Sequence, residues 1–214
     1  MPRLSPSQRE SLNSAVSRFH AALEGSPAEE YLAQRGLSSS DIGKFRLGYV
    51  EDPPPEYSKY EGKLAIPYLR WHPRFGWGTV DIRFRALDNQ KPKYMSMPGS
   101  RPRLFNTNAL MQAGSEVGIA EGEIDALSLT VSGMPTVGVP GATSWQEHWF
   151  PLFEGYRRVN IFTDGDEPGE KMARKLAKRM KNARVILFPD GEDANSVLQD
   201  GGAEKLRTYW TEED

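Results

Sequence analysis

From Glu116 to Gln199 short apolar runs alternate with helix-patterned segments, and no other feature constrains the fold as much. The runs are Val117-Gly118-Ile119-Ala120, Pro135-Thr136-Val137-Gly138, Arg158-Val159-Asn160-Ile161-Phe162 and Ala183-Arg184-Val185-Ile186-Leu187-Phe188. Helices are expected around Ile124 to Val131, from Ser144, over Lys171 to Met180, and near Ala194 to Gln199. Strands and helices in strict alternation with short loops argue for a parallel sheet flanked by helices. In such a sheet, sites form at the carboxyl ends of the strands.

The residues just past each strand therefore carry the functional information. The first run leads into Glu121-Gly122-Glu123-Ile124-Asp125, the third into Asp164-Gly165-Asp166, and the fourth into Pro189-Asp190-Gly191-Glu192-Asp193. The second leads into the neutral turn Val139-Pro140-Gly141-Ala142-Thr143. Asp164 and Asp166 are two apart, so in extended backbone they point the same way and repel. Three acidic clusters at one edge of one sheet would be costly without a cation, and Mg2+ or Mn2+ suits an all-oxygen site. The alternative is an ordinary acidic turn in which Asp164 caps the next helix.

The first half reads differently. Ser5-Pro6-Ser7-Gln8 is a capping box with proline at the first helical position, and it predicts a helix running to Gly25. Ser26-Pro27-Ala28-Glu29 repeats the signal with Gly36 as the stop, and Ser38 to Asp41 opens a third short helix. Short strands are expected from Arg46 to about Phe105. Thr79 to Arg85 alternates, placing Val80, Ile82 and Phe84 on one face and Arg83 and Arg85 on the other. Between residues 68 and 103, arginines and lysines are interleaved with Tyr68, Trp71, Phe75, Trp77, Phe84 and Tyr94. Cations with aromatic faces are what single-stranded nucleic acid requires; the alternative is a solvated outer surface with Phe84 exposed.

Charge divides along the same line. Residues 1–112 hold 16 Lys+Arg against 11 Asp+Glu, and residues 113–214 hold 11 against 18. This fits a basic half for a polyanion and an acidic half for metal ions. The chain has no cysteine, which removes disulfides, thiolate zinc sites and cysteine nucleophiles. His20, His72 and His148 have no ligand spacing, and Ser144 beside Trp145 reads as a helix cap. The basic helix after Glu170 reads as a solvated amphipathic helix on a stripe of Met172, Leu176 and Met180. No signal-peptide core or membrane-spanning run is visible. The expected class is α/β: an α+β N-terminal subdomain over 1–112, a Rossmann-like subdomain with a mostly parallel sheet over 113–202, and a short tail at 203–214.

The second half resembles the Toprim domain, whose pattern is a glutamate after the first strand and Asp-x-Asp-x-x-Gly after a later one. Here those are Glu121 and Asp164, Asp166 and Gly169. "EGEIDALSL" and "FPDGEDANSVL" look like DnaG-type bacterial and phage primases. The segments 31–50 ("YLAQRGLSSSDIGKFRLGYV"), "GKLAIPYL", "IRFRAL" and "KPKYMSMPGS" occur in the order of that primase core. The resemblance spans roughly 27–202.

By that resemblance Glu121, Asp164 and Asp166 are catalytic, and Glu121, Asp125, Asp164, Asp166 and Asp193 form the metal set for Mg2+ or Mn2+. Glu121 is either a ligand or the acid/base. Arg35, Arg83, Arg85, Lys93 and Tyr94 fall on positions that contact nucleotide or template. Two positions depart from the family: Asn195 stands where a second acid would, and Asn106 or Thr107 where a lysine would. The implied activity is that of a DNA primase, a nucleotidyltransferase making RNA primers on a single-stranded DNA template from NTPs. A replicative helicase and a separate zinc-ribbon module are the implied partners, in a bacterial or phage-infected cytoplasm, with no membrane. The alternatives are a Toprim-type Mg2+-dependent nuclease and a non-catalytic nucleic-acid-binding replication subunit.

Overall fold

A computed structural model describes residues 4–112 and 114–211. Residues 212–214 of the expected tail, Ala113 and residues 1–3 lie outside the described residues. The chain forms two compact units, one of Met1–Gln34 with Ser38–Arg101, the other of Arg35–Leu37 with Pro102–Asp214.

The first unit begins with α1 (Pro6–Ala21). The Ser5 hydroxyl accepts from the Gln8 N–H at 3.1 Å, and the Gln8 side chain accepts from the Ser5 N–H at 2.8 Å, completing the capping box. The helix stops before Gly25, with Ala22 as its C-cap. α2 (Pro27–Gln34) and α3 (Ser39–Ile42) come next, with Ser38 capping α3. β1 (Gly48–Tyr49), β2 (Leu64–His72), β3 (Gly76–Arg85) and β4 (Tyr94–Ser96) form an antiparallel meander in that order.

α1 covers one face of this meander. A Cβ on Gly48 would lie 2.4 Å from the Phe19 carbonyl carbon, so only glycine lets β1 approach the helix this closely. Leu12, Val16 and Phe19 pack on Tyr57, Tyr60, Ile82 and Phe84. Tyr60 stacks on Phe84 with ring centres 3.8 Å apart, and Phe84 is fully buried rather than exposed. The β2–β3 register passes from Tyr68 opposite Asp81 to Leu69 opposite Thr79, which leaves Val80 as a bulge. The expected alternation therefore holds for Ile82 and Phe84 and breaks at Val80. Thr79 is buried instead, its N–H donating to Asn13 Oδ1 at 2.8 Å.

The second unit contains α4 (Ala109–Gln112), β5 (Glu116–Glu121), α5 (Glu123–Val131), β6 (Thr136–Val139), β7 (Arg158–Thr163), α6 (Glu167–Ala177), β8 (Ala183–Leu187) and α7 (Ala194–Thr211), which is broken at left-handed Gly202 (φ +68°). The four strands are parallel in the order β6-β5-β7-β8. Residues 102–112 group with this unit, earlier than the expected division. Phe105 makes an antiparallel bridge to Gly138, and left-handed Asn106 donates to the Thr136 carbonyl at 2.8 Å.

Ser144 does not cap a helix. Its hydroxyl donates to the Pro140 carbonyl, and only a 3-10 helix forms, over Glu147–Leu152, with Pro151 inside it. The basic helix behaves as a solvated amphipathic element. Met172, Leu176 and Met180 are buried, and Lys175 and Arg179 pair with Glu147 at 3.7 and 2.9 Å.

Candidate active site

β5 and β7 are neighbours, with Ala120 opposite Phe162. β5 passes to β6 on one side while β7 pairs on the other, so the strand order reverses between them. That is where α/β sheets open a crevice at their carboxyl ends. Glu121 is the last residue of β5, and Asp164 comes immediately after β7.

Gly122 and Gly169 shape this corner. Gly122 has φ +98° and turns the chain from β5 into α5; a side chain there would be strained. A Cβ on Gly169 would lie 3.1 Å from Asp166 Oδ1, 3.1 Å from the Asp164 carbonyl oxygen and 3.2 Å from Glu121 Oε2. The missing side chain leaves a notch onto which two carboxylates converge.

Glu121 is half-buried. Its Oε1 accepts from the Ala142 N–H at 3.0 Å, from the loop after β6. Its Oε2 is buried with no hydrogen-bond partner. Burial pushes the Glu121 carboxyl above its ordinary range; the Ala142 N–H offsets this in part, and the charge of Asp166 adds to the rise. Asp166 is exposed and caps α6, its Oδ1 accepting from the Gly169 N–H at 2.8 Å. The cap is thus Asp166 rather than Asp164. Gly165 sits against the loop after β8, donating its N–H to the Glu192 carbonyl at 3.2 Å.

Asp193 and Asp125 are tied to the start of α7. Asp193 Oδ1 accepts from the Ser196 N–H at 2.7 Å, while the Ser196 hydroxyl accepts from the Asp193 N–H at 2.9 Å. Asp125, in the first turn of α5, accepts from the Asn195 N–H at 3.1 Å. Among the described residues, no three His, Cys, Asp or Glu side chains are already gathered closely enough to hold a metal ion. The carboxylates are spread instead over local donors, which relieves their repulsion. Glu123, from the same acidic cluster, is wholly buried at the start of α5.

Asn195 is a hub that sequence reasoning treated only as a missing acid. It is fully buried. Its Nδ2 donates to the Arg35 carbonyl and to Ser128 Oγ, both at 2.9 Å. Its Oδ1 accepts from Arg35 Nη1 at 2.7 Å and from Gln199 Nε2 at 2.9 Å. Both donors and both lone pairs are used. A carboxylate could not donate to the Arg35 carbonyl, so the amide has a structural reason. Asn195 also joins Arg35 to Asp125. Arg35 lies 160 residues away in sequence, so no local signal pointed to the pairing.

The remaining predicted residues lie in the first unit. Arg83 and Arg85 point away from α1 and stand over the Tyr94 ring at 4.7 and 4.9 Å. Arg85 Nη1 also donates to the Tyr94 hydroxyl, and its guanidinium lies 5.4 Å from the Tyr31 ring. Arg85 is only 5% exposed, so it is a clamped cation rather than a solvated one. Lys93 is exposed beside them. In the second unit Asn106, at one of the positions without the family lysine, spends its amide on Thr130 and Thr136.

The Toprim domain family matches residues 116–204. Gene 57 protein of Mycobacterium phage D29 is 53% identical over 147 residues, covering 69% of this chain and 97% of that protein. The DNA primase of Buchnera aphidicola is 26% identical over 191 residues, covering 81% of this chain and 31% of its own length. A DnaG primase catalytic domain solved bound to single-stranded DNA superposes with a TM-score of 0.76 at 20% identity, covering 94% of this chain and 77% of that one. The chain belongs to one family with that Gene 57 protein and carries a Toprim domain. The chain spans about a third of the length of the curated DNA primases it matches. Its fold is that of the DnaG catalytic core, with an antiparallel and a parallel sheet. Among its described residues no helix is long and apolar enough to cross a membrane.

Proposed function

We propose that this chain is a primase catalytic core that makes short RNA primers on single-stranded DNA by metal-dependent nucleotidyl transfer from NTPs. The observation that carries the reading is the Glu121–Gly169–Asp166 corner. A buried carboxylate oxygen without a donor and an exposed Asp oxygen converge on one notch. An orphaned buried acceptor is costly in a stable protein unless a cation or a proton completes it.

These residues fit Mg2+ or Mn2+, hard ions that take oxygen ligands. Glu121, Asp164 and Asp166 would hold them, with Asp125 and Asp193 in support. When bound, such ions neutralise charge on the attacking and leaving oxygens of a phosphoryl transfer.

The chain's own groups supply the rest. Ala142 fixes one oxygen of Glu121 and leaves the other directed at the notch. Glu121, whose pKa burial raises, would be the group that accepts a proton from a primer 3′-hydroxyl. Asp166, by capping α6, sets the start of that helix beside the same corner. Arg35, oriented by Asn195, offers a guanidinium to triphosphate. Arg83, Arg85, Lys93 and Tyr94 present cations and a ring to template or nucleotide. A zinc ribbon would come from outside these 214 residues, which contain no cysteine. A replicative helicase and a cytoplasmic setting complete the proposal.

The test is incubation with mixed-sequence single-stranded DNA, labelled ribonucleotides and Mg2+ or Mn2+, beside an Asp166→Asn control. Labelled oligoribonucleotides that vanish in the control support the reading. Metal-dependent shortening of the DNA without synthesis would favour a nuclease and overturn it.

A further inference from the structure

The first unit contains a groove of about 790 Å³ lined by Trp71, Phe75 and Trp77 of the aromatic–cation stretch, and by none of the proposed catalytic, metal or nucleotide-contact residues. It runs between α1 and the β2–β3 hairpin, on the face of the meander opposite Arg83 and Arg85. Three of the six large apolar side chains exposed among the described residues cluster here: Trp71 at 48%, Phe75 at 63% and Trp77 at 42%. Trp71 and Trp77 are direct cross-strand partners. Such a pair ordinarily covers itself and stabilises a hairpin. Here both rings line an open groove instead.

The cations around them select the ligand. Arg9 and Arg74 stand 5.6 and 5.4 Å from the centre of the Phe75 ring, and Arg70 lines the same groove. His72 stacks on Phe75 at 4.8 Å, and its Nδ1 accepts from the Arg74 N–H at 3.1 Å, which fixes the tip. Arg9 and Arg70 line the groove with one carboxylate, Glu10, and Arg74 stands over the Phe75 ring at its tip. A purely apolar peptide would gain nothing from that excess of positive charge. A ligand that alternates planar rings with anionic groups matches both features. The volume falls within the range of pockets that enclose small planar ligands.

We propose that this groove is a binding subsite for single-stranded nucleic acid. Bases would stack on Trp71 and Trp77, and phosphates would lie against Arg70, Arg74 and Arg9. It is separate from the Arg83–Tyr94 face, because the two lie on opposite sides of β3. The inference rests on the reading of the chain as a nucleic-acid enzyme, but not on the reaction.

The experiment is fluorescence anisotropy of a labelled oligothymidylate of about 16 residues, without divalent metal. Trp71→Ala/Trp77→Ala is expected to weaken binding about tenfold or more, and Trp71→Phe/Trp77→Phe to restore most of it. Arg70→Gln/Arg74→Gln is expected to flatten the salt dependence by about one unit of slope. Intrinsic fluorescence gives a second readout that does not depend on the alanine variant folding. Oligothymidylate should quench the wild type and quench the phenylalanine pair much less. Wild-type affinity in the alanine pair, or no quenching, overturns the proposal and leaves the groove to a protein partner. Primer synthesis on the same variants separates this proposal from the primase reading. Synthesis with unchanged oligonucleotide binding in the alanine pair removes the groove alone. Lost oligonucleotide binding in that pair, with no synthesis by the wild type, removes the reaction alone.

Discussion

The two sheets treat charge in opposite ways. In the antiparallel meander, Arg83 and Arg85 are held over Tyr94, and Arg85 is nearly buried between Tyr94 and Tyr31. In the parallel sheet, Glu121 keeps one oxygen satisfied and the other buried without a donor. In the first arrangement the charged faces rest on rings within the protein, although Arg83 Nε and Arg85 Nε make no hydrogen bond. In the second a buried carboxylate oxygen lacks any donor, and such a group is a candidate for completion by a cation. The difference marks the meander as a scaffold presenting fixed cations and the parallel sheet edge as the place where chemistry occurs.

The largest effect belongs to the meander. Phe84→Ala removes a ring that packs on Phe19, Tyr57 and Tyr60. Urea unfolding should show a loss of about 3–5 kcal/mol. A loss below about 1 kcal/mol would mean that this face is not the core of the unit.

Next comes the acidic corner. Asp166→Asn should cut primer synthesis by at least about a hundredfold, the scale of losing one preorganised electrostatic contact. Asparagine caps helices as well as aspartate does, so stability should change by no more than about 0.5 kcal/mol. Equal losses of activity and stability would make Asp166 a cap and nothing more.

Asn195→Ala tests the hub. It removes the donor to the Arg35 carbonyl and to Ser128 Oγ, and should cost about 2–3 kcal/mol in denaturant unfolding. A neutral result would show that water replaces the amide and that Arg35 is not positioned by it.

The smallest effect is linked to pH. Burial raises the Glu121 pKa above its unfolded value, so the folded state holds that proton more tightly. Stability from this group is fully present below the unfolded pKa, near 4.5, and falls as pH rises through the folded pKa. Glu121→Gln should therefore raise the Tm at pH 7.5 in chelator and leave it nearly unchanged at pH 4. The opposite pattern would mean that the carboxylate is satisfied.

Much of the molecule was legible in sequence, for identifiable reasons. The four parallel strands were visible because each is a short apolar run bounded by turn residues, and the acidic clusters fell at their carboxyl ends. The capping box at Ser5 and Gln8 was readable because it is local. Features that remained hidden depend on distant pairing. The bulge at Val80 arises from the register against β2, which strand alternation alone does not encode. The absent helix at Ser144 reflects a hydroxyl turned back to Pro140 and a proline at 151. The hub at Asn195 joins residues far apart in the chain, and the cap at Asp166 rather than Asp164 depends on where β7 ends.

The most direct measurement is Mn2+ binding followed by electron paramagnetic resonance, read without any turnover. Wild type, Asp166→Asn and Glu121→Gln would be titrated at pH 7.5, with folding checked by circular dichroism. The account predicts saturable loss of the free Mn2+ signal in the wild type, with affinity at least about tenfold weaker in each variant. Equal binding in all three, or none in the wild type, would contradict the claim that the Glu121–Asp166 corner is built for a divalent ion.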